Sequence, residues 1–256
     1  NATGGTILSN RLSGIFVGFC RTNLVIGGAL TNYGNFISGN SNGIHLLDSH
    51  RVEIVNNLIG INPAGHAGLG NRFAGIRMEN NSRSNSVNNN VIANNGGPGI
   101  WLTLNTDYNT FKGNRIGAGI TPLSDRGNQG PGILVEASDN NLYGDPGNPA
   151  GGNVIAFNNG PGIIVTSILN GSRFPHYFHA NRIYANTGIP IDLHGDGVTP
   201  NDPSPDADFG FANNFQNYPV LTVARRGSTV IHGTLVSTPG QNHLVEFYGT
   251  DPAQGL

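Results

Sequence analysis

The sequence predicts an all-β chain: a single-stranded parallel β-helix of about seven coils, followed by a short antiparallel β segment. Three observations carry this. A five-residue phrase, a glycine followed by alternating apolar and other residues, begins at Gly14, Gly43, Gly75, Gly99, Gly132, Gly162 and Gly188. Such alternation marks a short strand with one buried face. Ahead of most copies stands Asn-x-Ile or a close variant: Asn10 with Leu12, Asn35 with Ile37, Asn57 with Ile59, Asn90 with Ile92, Asn114 with Ile116, Asn153 with Ile155 and Asn181 with Ile183. A third apolar cluster comes earlier in each turn, at Leu24 and Ile26, Val52 and Ile54, Val87, Phe111, Leu142 and Tyr177. Three short strands per turn, recurring every 24 to 33 residues, describe a triangular solenoid. Its coils stack roughly 4.8 Å apart, so that each strand pairs with those above and below. No stretch carries the i, i+3, i+4, i+7 apolar pattern of a helical repeat.

Composition agrees. Of 256 residues 39 are Gly and 37% are hydrophobic, too few for a broad core but enough for one that is a single side chain wide. Charged residues are 11% and the net charge is -2, which removes the electrostatic case for nucleic acid. Low charge with abundant Asn, Ser and Thr suits a neutral polar ligand such as a sugar. The lone Cys20 excludes an internal disulfide, and no apolar run approaches membrane-spanning length. No signal peptide opens the chain, and both ends look cut, which points to a longer precursor.

The first coil, residues 1 to 33, has no amphipathic helix ahead of it to cover its strand edges, which points to truncation or to burial against another domain. Two insertions, Asn57 to Ile76 and Asn114 to Ile133, then align without gaps and share Ile59/Ile116, Gly60/Gly117, Gly70/Gly127 and Asn71/Asn128. A second loop class, Asn23 to Asn40 and Asn141 to Asn158, projects from another corner. Loops stacked on one side can wall a groove. The coil is expected over 1–193. An acidic, Pro-rich exit segment follows over 194–217. Residues 218–256 read as three strands with turns at Arg226-Gly227 and Pro239-Gly240, either a cap or the start of a β-sandwich.

Over roughly residues 7 to 193 the coils resemble the right-handed parallel β-helix repeat proteins of the pectate-lyase-like superfamily. The stretch 188–221, with DGVTPNDP, DAD and QNYPVL, is similar to a segment that ends the β-helix in large secreted or surface-exposed bacterial proteins of that kind. The resemblance implies a right-handed coil and an extracellular or cell-surface, adhesive setting. It implies no particular reaction.

Alternation turns two columns of the phrase outward. One reads Phe16, His45, Arg77, Trp101, Leu134, Ile164, Pro190, and the other Gly18, Leu47, Glu79, Thr103, Glu136, Thr166, Asp192. One wall then carries Trp101, His45 and Thr103 as candidate substrate-binding residues and Arg77, Glu79 and Glu136 as candidate catalytic residues. An indole plane suits a pyranose ring, and a bidentate Arg suits a carboxylate. Two rungs separate Glu79 from Glu136 by roughly 9.6 Å of backbone, near the ~6.5 to 9.5 Å of inverting glycosidases. Against this stands an ordinary solvated face. A lyase would use Arg77 as base, but no Asp cluster accompanies it. An ice-binding face is disfavoured because the columns lack a regular Thr array.

In the exit segment, Asp192, Asp196, Asp202, Asp206 and Asp208, with Asn201, can supply oxygens for Ca²⁺. Equally, they can form turns by bonding their own backbone. The Asn column (Asn35, Asn57, Asn90, Asn114, Asn153, Asn181) is expected to be a structural corner ladder. His176 and His179 beside Tyr177 and Phe178 are expected to pack rather than bind metal. Neither a convincing catalytic triad nor a Gly-x₄-Gly-Lys phosphate loop is present. The expected role is an extracellular module for carbohydrate binding, adhesion or assembly, with polysaccharide and further copies of itself as partners. The alternative is a polysaccharide hydrolase or lyase in a groove along the same wall.

Overall fold

The computed structural model describes residues 9–28, 34–62, 64, 70–121, 123–166, 175–203, 212–225, 227, 230–240 and 242–247. Three parallel sheets form the sides of a coil. The first has seven strands in sequence order: Ile15–Gly18, Ile44–Leu47, Ile76–Glu79, Ile100–Thr103, Ile133–Glu136, Ile163–Thr166 and Ile191–Leu193. These define rungs 1 to 7. The second sheet stacks Leu24–Gly27, Val52–Val55, Ser86–Asn88, Thr110–Lys112, Leu142–Gly144 and Tyr177–His179. The third stacks Phe36–Ile37, Leu58–Ile59, Val91–Ile92, Arg115–Ile116, Val154–Ala156 and Arg182–Tyr184. The fold is thus the expected all-β parallel coil.

The first sheet's alternation buries two side chains per rung, such as Ile76 with Met78 and Ile100 with Leu102. Strict register stacks Ile44 on Ile76, Ile76 on Ile100 and Ile100 on Ile133. Each such side chain contributes roughly 1.5 to 3 kcal/mol by leaving water. Inside the second sheet, Phe111, Tyr143 and Phe178 stack ring on ring at 5.0 and 5.1 Å. Two expectations are corrected here. Leu142 and Tyr177 face outward, because Phe111 pairs with Tyr143 and Tyr143 with Phe178. The inward residue comes two places after the corner residue: Val87 after Asn85, Phe111 after Asn109, Tyr143 after Asn141.

The corners explain the asparagines. Along Asn35, Asn57, Asn90, Asn114, Asn153 and Asn181, each backbone N–H and each side-chain Nδ2–H donates to the Oδ1 of the next residue at 2.8 to 3.1 Å. The remaining amide hydrogen caps a carbonyl one rung back, as Asn114 does with Val87 O at 2.7 Å. A second ladder runs through Asn10, Asn40, Asn71, Asn95, Asn128, Asn158 and Asn186. Asn10 therefore belongs here and not ahead of a third-sheet strand, and Leu12 beside it is exposed. A third ladder, Asn85, Asn109 and Asn141, ends on His176. A hydroxyl column of Ser49, Ser82, Thr106 and Ser138 begins at Cys20, whose N–H donates to Ser49 Oγ. In this way turns that would otherwise bury unpaired backbone are satisfied.

These ladders also dictate the repeated glycine. At Gly99 a Cβ would lie 2.6 Å from Ile116 Cγ2, 2.7 Å from Gly132 O and 2.9 Å from Asn128 Nδ2. In rung 7 the register slips. Ile163 pairs with Ile191 and Ile164 with Asp192, so Pro190 takes the glycine's place and Asp192 moves into the Trp101 column.

Beyond Leu193 the chain crosses the end of the coil. Ala212 packs into the core and His194 meets Phe215 edge-on at 5.7 Å. Residues 201–202 and 217–218 strap each other reciprocally. Asn201 Oδ1 accepts from Tyr218 N, Asn201 Nδ2 donates to Tyr218 O, and Asn217 does the same with Asp202. An antiparallel pair, Val220–Ala224 with Ile231–Thr234, follows. A third strand was expected here. Residues 242–247 are described and form none, and Arg226 of the expected Arg226-Gly227 turn lies outside the described residues.

Candidate functional site

On the outer face of the first sheet, six side chains from five consecutive rungs interlock. Register aligns His45 with Arg77, Arg77 with Trp101, Trp101 with Leu134, and Thr103 with Glu136. Glu79 follows Met78, the partner of Leu102, so Glu79, Thr103 and Glu136 fall in one column. Their backbones therefore stand roughly 4.8 Å apart per rung.

Contacts run the length of this cluster. Phe16 meets the His45 ring edge-on at 5.2 Å. His45 Nε2 lies 3.0 Å from Glu79 Oε1, and the other Glu79 oxygen pairs with Arg77 Nη2. The Arg77 guanidinium carbon sits 4.6 Å above the Trp101 ring, and Trp101 Nε1–H donates to Glu136 Oε2 at 2.7 Å. His45 and Glu79 expose 16% and 15% of their side chains and Arg77 31%, so the pairs are shielded from water but not sealed. Trp101, Thr103 and Glu136 are half-buried. Arg77 Nε is buried without a hydrogen-bond partner among the described residues.

Chemically, the indole is immobilised. Arg77 covers one ring face, Glu136 holds the N–H, and along the column toward rung 6 lie Leu134 and Ile164, both half-buried. A fixed aromatic edge with apolar neighbours and carboxylate acceptors matches the hydroxyl and C–H surfaces of a sugar. The outward placement of these residues follows from alternation. That Arg77 lies over the indole, His45 reaches Glu79 and Glu136 takes the indole N–H required the next-rung register, which a one-dimensional reading of columns does not supply.

The described metal candidates do not converge. Asp192 is buried in rung 7, where its carboxylate accepts from Gly195 N at 2.9 Å and from Gly197 N at 3.1 Å. Asp202 joins the strap through its backbone. Asp206 and Asp208 lie outside the described residues, and among the described ones no three His, Cys, Asp or Glu group to hold a metal. His176 and His179 part company. His176 is buried at the ladder's end, whereas His179 Nδ1 lies 3.1 Å from Glu246 on the C-terminal segment.

A family model described as a right handed beta helix region matches residues 2–144. The chain belongs to the right-handed beta helix family. Within this right-handed beta helix the match covers rungs 1 to 5 of the first sheet, and so the whole cluster from Phe16 to Glu136. No curated protein matches the chain. Among solved structures it is similar to the crystal structure of the periplasmic alginate epimerase AlgG, at TM-score 0.42 and 18% identity over 70% of this chain. The aligned part is 47% of that protein. Among the described residues no helix is long and apolar enough to cross a membrane.

Proposed function

We propose that this right-handed beta helix is a carbohydrate-binding module of an extracellular or cell-surface protein, engaging glycan along the outer face of its first sheet without chemistry of its own. The observation that supports this is the fixing of Trp101 between Arg77 and Glu136 on a continuous wall. A rigid aromatic loses little freedom on binding. Adhesion and self-association follow from the same wall being presented repeatedly, and remain secondary to glycan capture. Immobilised-glycan retention tests the reading. Trp101→Ala should lose at least ten-fold in retention, and unchanged retention would overturn it.

One geometric feature favours a second reading, an inverting glycoside hydrolase. Glu79 and Glu136 share a column two rungs apart, roughly 9.6 Å by strand spacing, with Thr103 between them. Both carboxylates, however, already have protein partners, Glu79 two cationic or imidazole groups and Glu136 the indole N–H. Arg77 as a lyase base would have to leave Glu79. Reducing-end release from a polysaccharide panel, abolished by Glu136→Gln, would replace the binding reading with the enzymatic one.

A further inference from the structure

Resting on the glycan-binding reading above, we infer that the wall around Trp101 selects neutral over acidic polysaccharide. A half-exposed arginine beside a tryptophan invites the opposite conclusion, since guanidinium pairs readily with uronate. The contacts argue against it. Arg77 is the only Arg or Lys among the described residues on the outward strand positions of the first sheet, and the imidazole of His45 is already on Glu79. Its Nη2 is joined to Glu79, its plane lies on the indole, and its Nε is buried. A uronate drawn to the remaining Nη1 would either stand beside the Glu79 carboxylate or displace it from a shielded ion pair, and like charges disfavour both arrangements.

The rest of the wall leans the same way. Among the described residues Glu136 has no cationic partner, and its carboxylate is held by a neutral N–H. Arg77 and Glu79 on rung 3 and Glu136 on rung 5 carry one positive and two negative charges, with the His45 imidazole beside Glu79. At the turns leaving these strands, Arg21 is paired with Asp48 at 2.7 Å and Arg83 with Asp107 at 3.2 Å, while the exposed Arg51 lies next to the second-sheet strand Val52–Val55 and not in the outward columns. What the wall offers a ligand is acceptor oxygen beside apolar surface: the Glu136 carboxylate, engaged through Oε2 by the indole N–H, next to Trp101, Leu134 and Ile164. Carboxylate oxygens accept strong hydrogen bonds from sugar hydroxyls, and the ring and aliphatic carbons cover sugar C–H faces. Neutral polyols satisfy both without repulsion.

The test is parallel calorimetric titration of the full chain at low and at 0.5 M salt. The probes are length-matched oligosaccharides of a neutral glucan and a neutral mannan, of polygalacturonate and polyguluronate, and of a glucosamine polymer. At low salt a neutral oligosaccharide should bind at least ten-fold tighter than either uronate, with little salt dependence. Glu136→Gln, which keeps shape and removes charge, should narrow that ratio at least three-fold by improving uronate binding. Uronate or glucosamine oligomers binding tightest, with Trp101→Ala abolishing it, would leave the site standing and overturn its selectivity for neutral sugar. If no oligosaccharide binds, or if binding ignores Trp101→Ala, the selectivity and the underlying glycan reading fall together.

Discussion

Replacing His176 by Asn should remove an acid sensitivity that the ladder of Asn85, Asn109 and Asn141 would not otherwise have. His176 imitates an asparagine. Its Nδ1 accepts from Asn141 N, and its Nε2–H donates to Ser138 O at 2.8 Å, as Asn141 Nδ2 does to Thr106 O one rung back. Both bonds require the neutral ring protonated on Nε2. Burial against Tyr143 and Phe178 lowers its pKa from 6.5 to about 4, against the smaller opposing pulls of Ser138 O and Asp139. That difference is worth about 3 kcal/mol in favour of the neutral form in the folded state. Above pH 6.5 neither folded nor unfolded chain is protonated here, and the contribution is constant. As pH falls toward 4 the unfolded chain takes up a proton that the folded one refuses, so stability declines, by about 2 kcal/mol at pH 5. Denaturant unfolding of wild type and His176→Asn between pH 7.5 and 4 measures this. The variant should start less stable at neutral pH, because it loses the ring contacts, and should then close the gap as pH falls. Parallel pH profiles for the two proteins would refute the assignment of His176 as a neutral ladder rung. Because a solenoid couples only neighbouring coils, loss of hydrogen-exchange protection should begin at rungs 5 to 7.

Three other outcomes are expected. Tyr143 Oη is buried with no hydrogen-bond partner among the described residues, and burial pushes its pKa well above the usual value, so Tyr143→Phe should be neutral or stabilising by up to about 1 kcal/mol in the same unfolding assay. Asn114→Ala removes the side-chain donor to Val87 O, one of the two donors to Asn153 Oδ1, and the acceptor of Asn90 N and Nδ2, and should cost roughly 2 to 4 kcal/mol, seen as a lower denaturation midpoint. Calcium binding by Asp192, Asp196, Asp202, Asp206 and Asp208, which the sequence allows, predicts that chelator lowers the melting midpoint. An unchanged midpoint withdraws it.

Period and alternation were enough to place rungs 1 to 6, because both are local properties of the chain. The ladder through Asn35 and Asn181 was legible for the same reason: a corner amide precedes its inward residue by two positions. The Asn10 and Asn85 ladders obey related spacing, yet their members stand among other asparagines, such as Asn88, Asn89 and Asn94, that sequence alone does not separate from them. Rung 7 was misread because a glycine phrase at Gly188 imitates the repeat two residues too early. Only pairing with rung 6 shows that Ile191 is the core residue. At the wall, direction was readable but partnership was not. Whether Arg77 turns to Glu79 or to a ligand depends on neighbours 24 to 34 residues away in sequence, whose heights along the coil are set by loops of unequal length.

The amide ladders have an evolutionary corollary. Everything that keeps the prism upright, the inward aliphatics and the corner amides, is distinct from the outward columns that meet the surroundings. Mutation can therefore rewrite the display one position at a time without touching the frame. Since each corner asparagine gives one side-chain hydrogen to the next amide and the other to the rung behind, a complete turn removed or duplicated between equivalent asparagines would rejoin the series unbroken, and the reach of the surface becomes as heritable a trait as its chemistry.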